Sequence, residues 1–248
     1  IRVGKSLSDV LSVFMMYELS TSKLTNVSPQ AIPDVLDVEG ETQLQSLLNP
    51  SIVYDSRNNR RFPTNGILAR LSPTVSGGPL GGDIDVASVS VDFRQYHSVG
   101  EKLRIRFLRK LVWSYRVEAR YIDAFDGSLP AFRRLFLGGR RAVRGFQRDD
   151  LGPRDSNGEA IGGFSTGLVS TEISHPFFGP TRLVVFLDAG NVWERHNAFD
   201  VSDIRIGGGF GVRFITPLGP VRIDLGYKLD KKSGERPREV HVGIGTSF

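Results

Sequence analysis

Residues 204–214 read Ile-Arg-Ile-Gly-Gly-Gly-Phe-Gly-Val-Arg-Phe, and this stretch alternates between two kinds of side chain. Its even positions, from Ile204 to Phe214, are apolar or glycine, whereas its odd positions hold only arginine and glycine. Because successive side chains of a β-strand point to opposite faces of the sheet, a period of two predicts a strand. Residues 111–121, 221–228 and 240–248 repeat the alternation.

The same reading extends along the chain and predicts an all-β fold. The predicted strands cover 7–20, 44–56, 66–76, 84–96, 110–122, 159–174, 181–193, 203–215, 219–228 and 238–248. An apolar face opposite a polar face fits a soluble sandwich, and it also fits a transmembrane β-barrel with lipid outside and a polar lumen inside. Glycine and charges of both signs share the polar face, and aromatic residues stand near strand ends, which favours the barrel.

Composition excludes several classes of function. The chain has 248 residues, 40% of them hydrophobic, and no cysteine, which rules out disulfides, cysteine zinc sites and thiol nucleophiles. Its four histidines have no metal-site spacing, and no G-x-S-x-G elbow is present. We expect no enzyme activity, no metal and no cofactor. The net charge of +5 is a weak signal for nucleic acid, because the arginines alternate with apolar strand positions.

One long connection, residues 123–158, separates two predicted strands. Loops beyond ~12–15 residues without secondary structure are usually functional or disordered. This one holds Phe132, Leu135, Phe136, Leu137 and Phe146, which a disordered loop would rarely carry. We therefore expect it to be ordered and folded against the rest of the molecule.

Val143-Arg144-Gly145-Phe146 in this loop matches the V-R-G-F/Y signature of the BamA/TamA family of outer-membrane β-barrel insertases, the bacterial surface-antigen family. Further motifs follow the family's order: Gly152-Pro153-Arg154-Asp155, Ile161-Gly162-Gly163, Ser170-Thr171-Glu172, Phe186 through Trp193, and Thr216 through Asp224. The resemblance covers nearly the whole chain and is strongest over 135–248. The resemblance rests on the order of these motifs along the chain more than on any one tetrapeptide.

The resemblance implies a sixteen-stranded barrel preceded by periplasmic POTRA modules. Residues 1–248 would then supply about the ten C-terminal strands, with the N-terminal strands and the POTRA modules outside this chain. The chain begins Ile1-Arg2-Val3-Gly4, without methionine or a visible targeting signal, so we interpret it as part of a longer protein.

The resemblance also implies that the VRGF loop folds into the barrel lumen, where its arginine, here Arg144, contacts acids on the inner wall. By motif those acids are Glu172 and Asp188, and strand parity points both inward. Gly145 would allow a tight turn and Phe146 would anchor the tip. The alternative is that Arg144 is one of many solvated loop arginines.

Two more motifs belong to the resemblance. Asp55, Arg57 and Gly66 resemble the family's D-x-R…P-x-x-G hairpin, and the sequence leaves open whether the charges pair or are simply solvated. The last strand, with Gly243, Gly245 and the terminal Phe248, resembles the barrel sorting signal and the strand at the barrel seam. Phe248 is equally compatible with an ordinary interfacial aromatic.

Glycines 207, 209 and 211 lack the G-x-G-x-x-G spacing of a nucleotide loop and lie inside a strand. Making room for the inserted loop is the better interpretation of these small residues.

The activity implied by the resemblance is insertion of nascent β-barrel proteins into the bacterial outer membrane through a lateral seam, without a nucleotide. Expected partners are nascent outer-membrane proteins, accessory periplasmic lipoproteins, and outer-membrane lipid or lipopolysaccharide, with no nucleic acid. Three alternatives stay open: a TamA-type or two-partner secretion pore, a soluble β-sandwich that binds anionic ligands, and an outer-membrane enzyme.

Overall fold

The computed structural model of the chain describes residues 1–23, 25, 40–100, 106–125, 129, 131–194, 199–216 and 219–244. Within these residues lie eleven strands: β1 (Arg2–Ser6), β2 (Leu11–Lys23), β3 (Thr42–Asp55), β4 (Gly66–Ser76), β5 (Val86–Ser98), β6 (Val112–Ala124), β7 (Ser165–Pro176), β8 (Thr181–Trp193), β9 (Arg205–Thr216), β10 (Gly219–Lys228) and β11 (Arg238–Ile244). Short 3-10 helices cover Gly78–Leu80, Arg106–Lys110, Ala131–Arg133 and Val201–Asp203. None of the helices found in these ranges has the length and apolar character needed to cross a membrane.

All eleven strands belong to one antiparallel sheet in which each strand pairs with its neighbours in sequence, from β1 to β11. Antiparallel neighbours of this kind can be joined by simple hairpin connections, and the connection between β6 and β7 is the longest of them. The predicted all-β antiparallel fold is confirmed. In the described residues, β1 and β11 form the two edges of the sheet.

The first predicted strand, 7–20, is wrong in its bounds, because the structure has a hairpin of β1 and β2 there. The turn falls at residues 7–10, where the Ser8 hydroxyl accepts hydrogen bonds from the backbone N–H groups of Val10 (3.4 Å) and Leu11 (3.1 Å). A serine that captures nearby N–H groups offers the backbone a turn in place of a strand. Because β1 holds a single apolar residue, Val3, the side-chain pattern indicated no strand there, and the described residues have eleven strands where ten were predicted.

The strand predicted over 159–174 begins only at Ser165, and the preceding residues belong to the loop. Gly163 pairs with Leu135, and Ala160 pairs with Arg154, as isolated bridges outside the named strands. The backbone at Gly163 and Ala160 therefore pairs within the loop and not with a neighbouring strand. The long connection, which we call the inner loop, runs from 125 to 164.

The face of the strands opposite the buried charges is apolar and exposed. Val185, Phe210 and Val240 are more than half exposed, while the inward Glu172, Asp188 and Asp224 are buried. A soluble sandwich buries its apolar faces between two sheets, so this single sheet with an exposed apolar face does not support the soluble-sandwich interpretation.

The inner loop supplies much of the buried core. Its Leu137, Val143, Phe146 and Leu151 form one apolar cluster with Leu168 of β7 and Val192 of β8. A second cluster joins Leu129 to Ile84, Val86, Ile122 and Ala124. The described residues of the loop are thus ordered and packed on the polar face of the sheet, where they position the VRGF residues.

Candidate functional site

The VRGF residues sit on a tight turn of the inner loop. The N–H of Ala142 donates to the carbonyl of Gly139 (3.0 Å), and the N–H of Gly139 donates to the carbonyl of Val143 (3.2 Å). Val143 and Phe146 are fully buried on either side of Arg144. The packing of Val143 and Phe146 therefore fixes the place at which the Arg144 side chain meets the sheet.

Arg144 donates three hydrogen bonds to Asp188 of β8. Its Nε donates to Oδ2 (2.7 Å), its Nη2 donates to Oδ1 (2.8 Å), and its backbone N–H donates to Oδ2 (3.0 Å). A planar guanidinium that meets a carboxylate with two parallel bonds gives both strength and orientation. Ser170 donates a further hydrogen bond to Oδ1 of Asp188 and so orients that carboxylate.

The remaining donor edge of Arg144 faces β7. Nη1 donates to Oε2 of Glu172 (3.0 Å), and the guanidinium carbon lies 3.5 Å from the ring centroid of Phe186. Only 2% of Arg144 is exposed, and Asp188 is fully buried. The structure thus brings Arg144, Glu172 and Asp188 together, and Arg144 is not a solvated loop arginine.

The electrostatics of this contact keep the arginine charged. Burial alone would lower the pKa of Arg144, but the charge and hydrogen bonds of Asp188, together with the charge of Glu172, outweigh burial and raise that pKa. A buried ion pair is costly to break, because the remaining partner becomes an uncompensated charge.

A second arginine, which the sequence analysis missed, extends the network. Arg213 of β9 donates to Oε2 of Glu172 (3.1 Å) and to Oδ1 of Asp224 on β10 (2.5 Å). Oδ2 of Asp224 lies 3.9 Å from Nη1 of Arg144. Both residues occupy inward positions in the strand alternation, so parity places them on the inner face but does not distinguish them from the other inward polar residues.

A third buried arginine lies close to these groups. Arg222 of β10 is almost fully buried and donates from Nη2 to the carbonyl of Arg140 in the loop (2.5 Å), and among the described residues no ion pair joins its guanidinium to a carboxylate. This region of the inner face thus holds three carboxylates, those of Glu172, Asp188 and Asp224, and three guanidiniums, those of Arg144, Arg213 and Arg222. We call these six residues the charge network.

Close approach of the loop backbone requires small residues on the sheet. A β-carbon at Gly207 would overlap the carbonyl oxygen of Arg144, and one at Gly226 would overlap the N–H of Gly145. Gly145 itself has φ 98°, a left-handed conformation that favours glycine. Of the three glycines expected to make room for the loop, Gly207 does so, but the prediction is wrong for Gly209 and Gly211, which approach strand residues instead, and Gly226 was missed.

Phe146 is held by cations. The guanidinium of Arg205 and the ammonium of Lys228 each lie 4.8 Å from its ring centroid. The hairpin of residues 229–237 fixes Arg205 in turn, because Asp230 accepts from its Nε (2.6 Å) and Glu235 accepts from its Nη2 (2.8 Å).

The pKa of Glu235 is lowered to about 2, mainly by the hydrogen bond from Arg205. This hairpin carboxylate therefore stays ionised over the ordinary pH range and keeps Arg205 against the tip of the VRGF turn.

The predicted D-x-R hairpin lies elsewhere on the sheet, at the turn from β3 to β4. Arg57 pairs with Asp55 through two bonds, Nε to Oδ1 (2.8 Å) and Nη2 to Oδ2 (3.0 Å). Gly66 has φ 108°, and a β-carbon there would overlap the backbone of Ser56. The charges therefore pair with each other within the hairpin, five strands away from β8.

The C-terminal motif is only partly visible. Gly243 lies in β11, opposite Arg222 of β10, and a β-carbon there would approach Nη1 of Arg140 to 2.7 Å. Gly245 and Phe248 lie outside the described residues.

Within the part of the chain that the structure describes, no three His, Asp or Glu side chains cluster as ligands. The buried acids of the charge network are directed at arginines. What these residues can do chemically is hold a loop against a sheet.

Comparisons with known proteins agree with this architecture. The model of the Omp85 superfamily domain matches residues 1–248. The outer membrane protein assembly factor BamA of Nitratidesulfovibrio vulgaris is 26% identical over 242 residues, covering 95% of this chain and 30% of that protein. BamA of Neorickettsia risticii is 26% identical, covering 99% of this chain and 33% of that protein.

A solved structure shares the fold. The crystal structure of BamA from Haemophilus ducreyi lacking POTRA domains 1-3 superposes with a TM-score of 0.74 at 19% identity, covering 98% of this chain and 51% of that one. The chain spans about a third of the length of the two curated relatives. It therefore belongs to the Omp85 superfamily, is related to BamA, and is a β-barrel-family protein of the bacterial outer membrane.

Proposed function

We propose that this chain is part of an assembly factor that inserts nascent β-barrel proteins into the outer membrane. The observation that carries the proposal is the Arg144-centred charge network, which seats the inner loop on a sheet like that of BamA. The curated relatives, named as outer membrane protein assembly factors, support it.

The energetics require no enzyme and no nucleotide. A client strand that leaves water buries apolar side chains in lipid and pairs its backbone groups, both of which are favourable. The assembly factor then has only to present, at the membrane, a strand edge that serves as a template for the client strand. We propose that the free edge of β11 contributes to such a template, since an exposed edge can pair with an added strand.

The whole protein is proposed to hold more than this sheet. In lipid, unpaired edges at β1 and β11 would be unfavourable, so we propose that further strands complete a barrel and that periplasmic POTRA modules deliver clients. Accessory lipoproteins and outer-membrane lipid or lipopolysaccharide complete the proposed set of partners.

The proposal is tested with Arg144→Ala in the full-length protein, reconstituted in proteoliposomes with an unfolded barrel client. Removing one partner of a buried network costs about 3–5 kcal/mol, which is enough to unseat the loop. We expect client insertion to fall at least several-fold, and Arg144→Lys to rescue it only partly, because lysine lacks the bidentate fork.

Arg148→Ala is the matched control, because Arg148 lies four residues away in the same loop and its side chain is 90% exposed. Normal insertion by Arg144→Ala with a demonstrably unseated loop would contradict the proposal. Loss of export of a soluble passenger, with insertion intact, would instead favour the secretion-pore alternative.

A further inference from the structure

The inner loop reaches the edge strand β11 as well as β7 and β8. The N–H of Gly145 donates to Nε2 of His241 (3.1 Å), and Nε2 of Gln147 donates to Oε1 of Glu239 (3.3 Å). Arg140 donates from Nη1 to the carbonyl of Val242 (3.2 Å). Three residues of the inner loop thus contact β11 at three different positions along its length.

The strand register shows which backbone groups of β11 these contacts leave for a partner. The N–H of Lys228 donates to the carbonyl of Pro237, and hydrogen-bonded pairs alternate along an antiparallel ladder. His241 and Gly243 therefore bond to β10, whereas the backbone groups of Val240, Val242 and Ile244 point to the free edge. The contact of Arg140 falls on this free edge, and the contact of Gly145 falls beside it.

The hydrogen bond from Gly145 fixes the protonation state of His241. A backbone N–H can only donate, so Nε2 must carry a lone pair and the imidazole must be neutral. Gly145 has little room to turn its N–H away, because Gly226 and Tyr227 lie against it. Protonation of Nε2 would set one N–H directly against another.

The charges around His241 come from three elements. Asp224, directly opposite on β10, and Glu239, on β11, are acidic; Arg222 on β10 and Arg144 in the loop are basic. Asp224 accepts from Arg213 through Oδ1, whereas its Oδ2 has no hydrogen-bond partner among the described residues, and Glu239 accepts from Gln147. The charge of Asp224 therefore favours an imidazolium, but a proton on Nε2 would still face the N–H of Gly145.

We infer that His241 is a positioning residue that couples edge strand β11 to the VRGF turn, so that the turn is held more firmly while the imidazole is neutral and β11 is in place. The inference rests on the proposed function and deepens it, because the strand proposed to meet the client is also a strand that holds the loop. Displacement of β11 and protonation of His241 would loosen the same contact.

The test measures the position of the loop directly. The chain has no cysteine, so Arg148→Cys and Phe178→Cys can carry spin labels in the full-length protein in nanodiscs. Arg148 is exposed in the loop and Phe178 is exposed in the β7–β8 turn, so their separation reports how deeply the loop is seated. We expect the unseated population to rise about tenfold between pH 8 and pH 5, because one buried hydrogen bond is lost and a charge appears.

His241→Gln is the conservative variant, since its amide oxygen can accept from Gly145 without titrating. We expect this variant to keep the loop seated at both pH values and His241→Leu to unseat it at both. An unchanged pH response in His241→Gln, or a normally seated loop in both wild type at pH 5 and His241→Leu, would overturn the inference.

The spin-label distance is measured without a client protein, so failure of the His241 coupling can be distinguished from failure of the proposed function. If the loop responds through His241 but insertion is indifferent to loop position, the coupling holds and the proposed function fails. If Arg144→Ala abolishes insertion while His241 has no effect on the loop, the coupling fails and the proposed function stands.

Discussion

Two hairpins of the same sheet, β1–β2 and β7–β8, differ in what covers their inner face. Both alternate along the chain, yet every residue of β1 is exposed and none in β2 is fully buried, whereas β8 buries Val184, Phe186 and Asp188 on its inner face. The inner loop packs on β7 and β8. Burial of the polar face is therefore set by the loop, and the alternation alone does not determine it.

The two hairpins also differ in how much their charged residues contribute to stability. Glu18 on β2 is exposed, and Asp188 on β8 is fully buried and bonded to Arg144. Exposed charges contribute little to stability, and buried paired charges are costly to disturb. The same residue type should thus have different effects in the two hairpins.

The largest expected effect is that of Asp188→Ala, which leaves Arg144 buried without its main partner. We expect the free energy of unfolding to fall by about 3–5 kcal/mol. Heat-dependent mobility of the full-length protein on semi-native gels measures it, with Glu18→Ala as the control in the uncovered hairpin. Equal losses in both variants would remove the energetic distinction between the hairpins.

Next in size is Gly207→Ala on β9, beside β8, where the new methyl group would overlap the backbone of Arg144. Such overpacking costs about 1–3 kcal/mol, and the spin-label distance should show a displaced loop. Gly4→Ala on β1 is the matched control, because the methyl group there meets only the ring of Phe14, an adjustable side chain. A displaced loop in Gly4→Ala, or a seated one in Gly207→Ala, would contradict this prediction.

A smaller effect is expected from acid acting on the 229–237 hairpin. The pKa of Glu235 is lowered to about 2, so its contribution to stability is fully present above its ordinary pKa near 4.5 and is lost as the pH falls toward 2. Thermal unfolding of wild type and Glu235→Gln, compared at pH 7 and at a pH between about 4.5 and 2, measures this contribution. The variant should be less stable at pH 7, and the gap should narrow as acid protonates Glu235.

The smallest expected effect is that of Ser8→Ala in the β1–β2 turn. It removes the acceptor of the Val10 and Leu11 N–H groups in an exposed turn, at a cost of about 0.5–1.5 kcal/mol. Hydrogen exchange should quicken at residues 7–11 only. Faster exchange in the inner loop as well would show that the uncovered hairpin is coupled to the covered one.

The alternation identified the sheet, and its parity alone placed Glu172 and Asp188 on the inner face. It could not place the β1–β2 hairpin, because β1 holds a single apolar residue, Val3, which is too few to indicate a strand. Nor did it single out Arg213, Asp224 or His241, since every inward polar residue has the same parity. Only the path of the loop distinguishes those it contacts.

The sequence by itself determined the all-β meander, the two faces of its strands and membership in a family, because these depend on local periodicity and on ordered motifs. Only the tertiary structure decided which inward charges are buried, that Gly226 admits the loop, and that His241 accepts from Gly145. The physical reason is that burial and hydrogen-bond partners arise where segments distant in sequence meet. No local pattern records which surfaces the inner loop will cover.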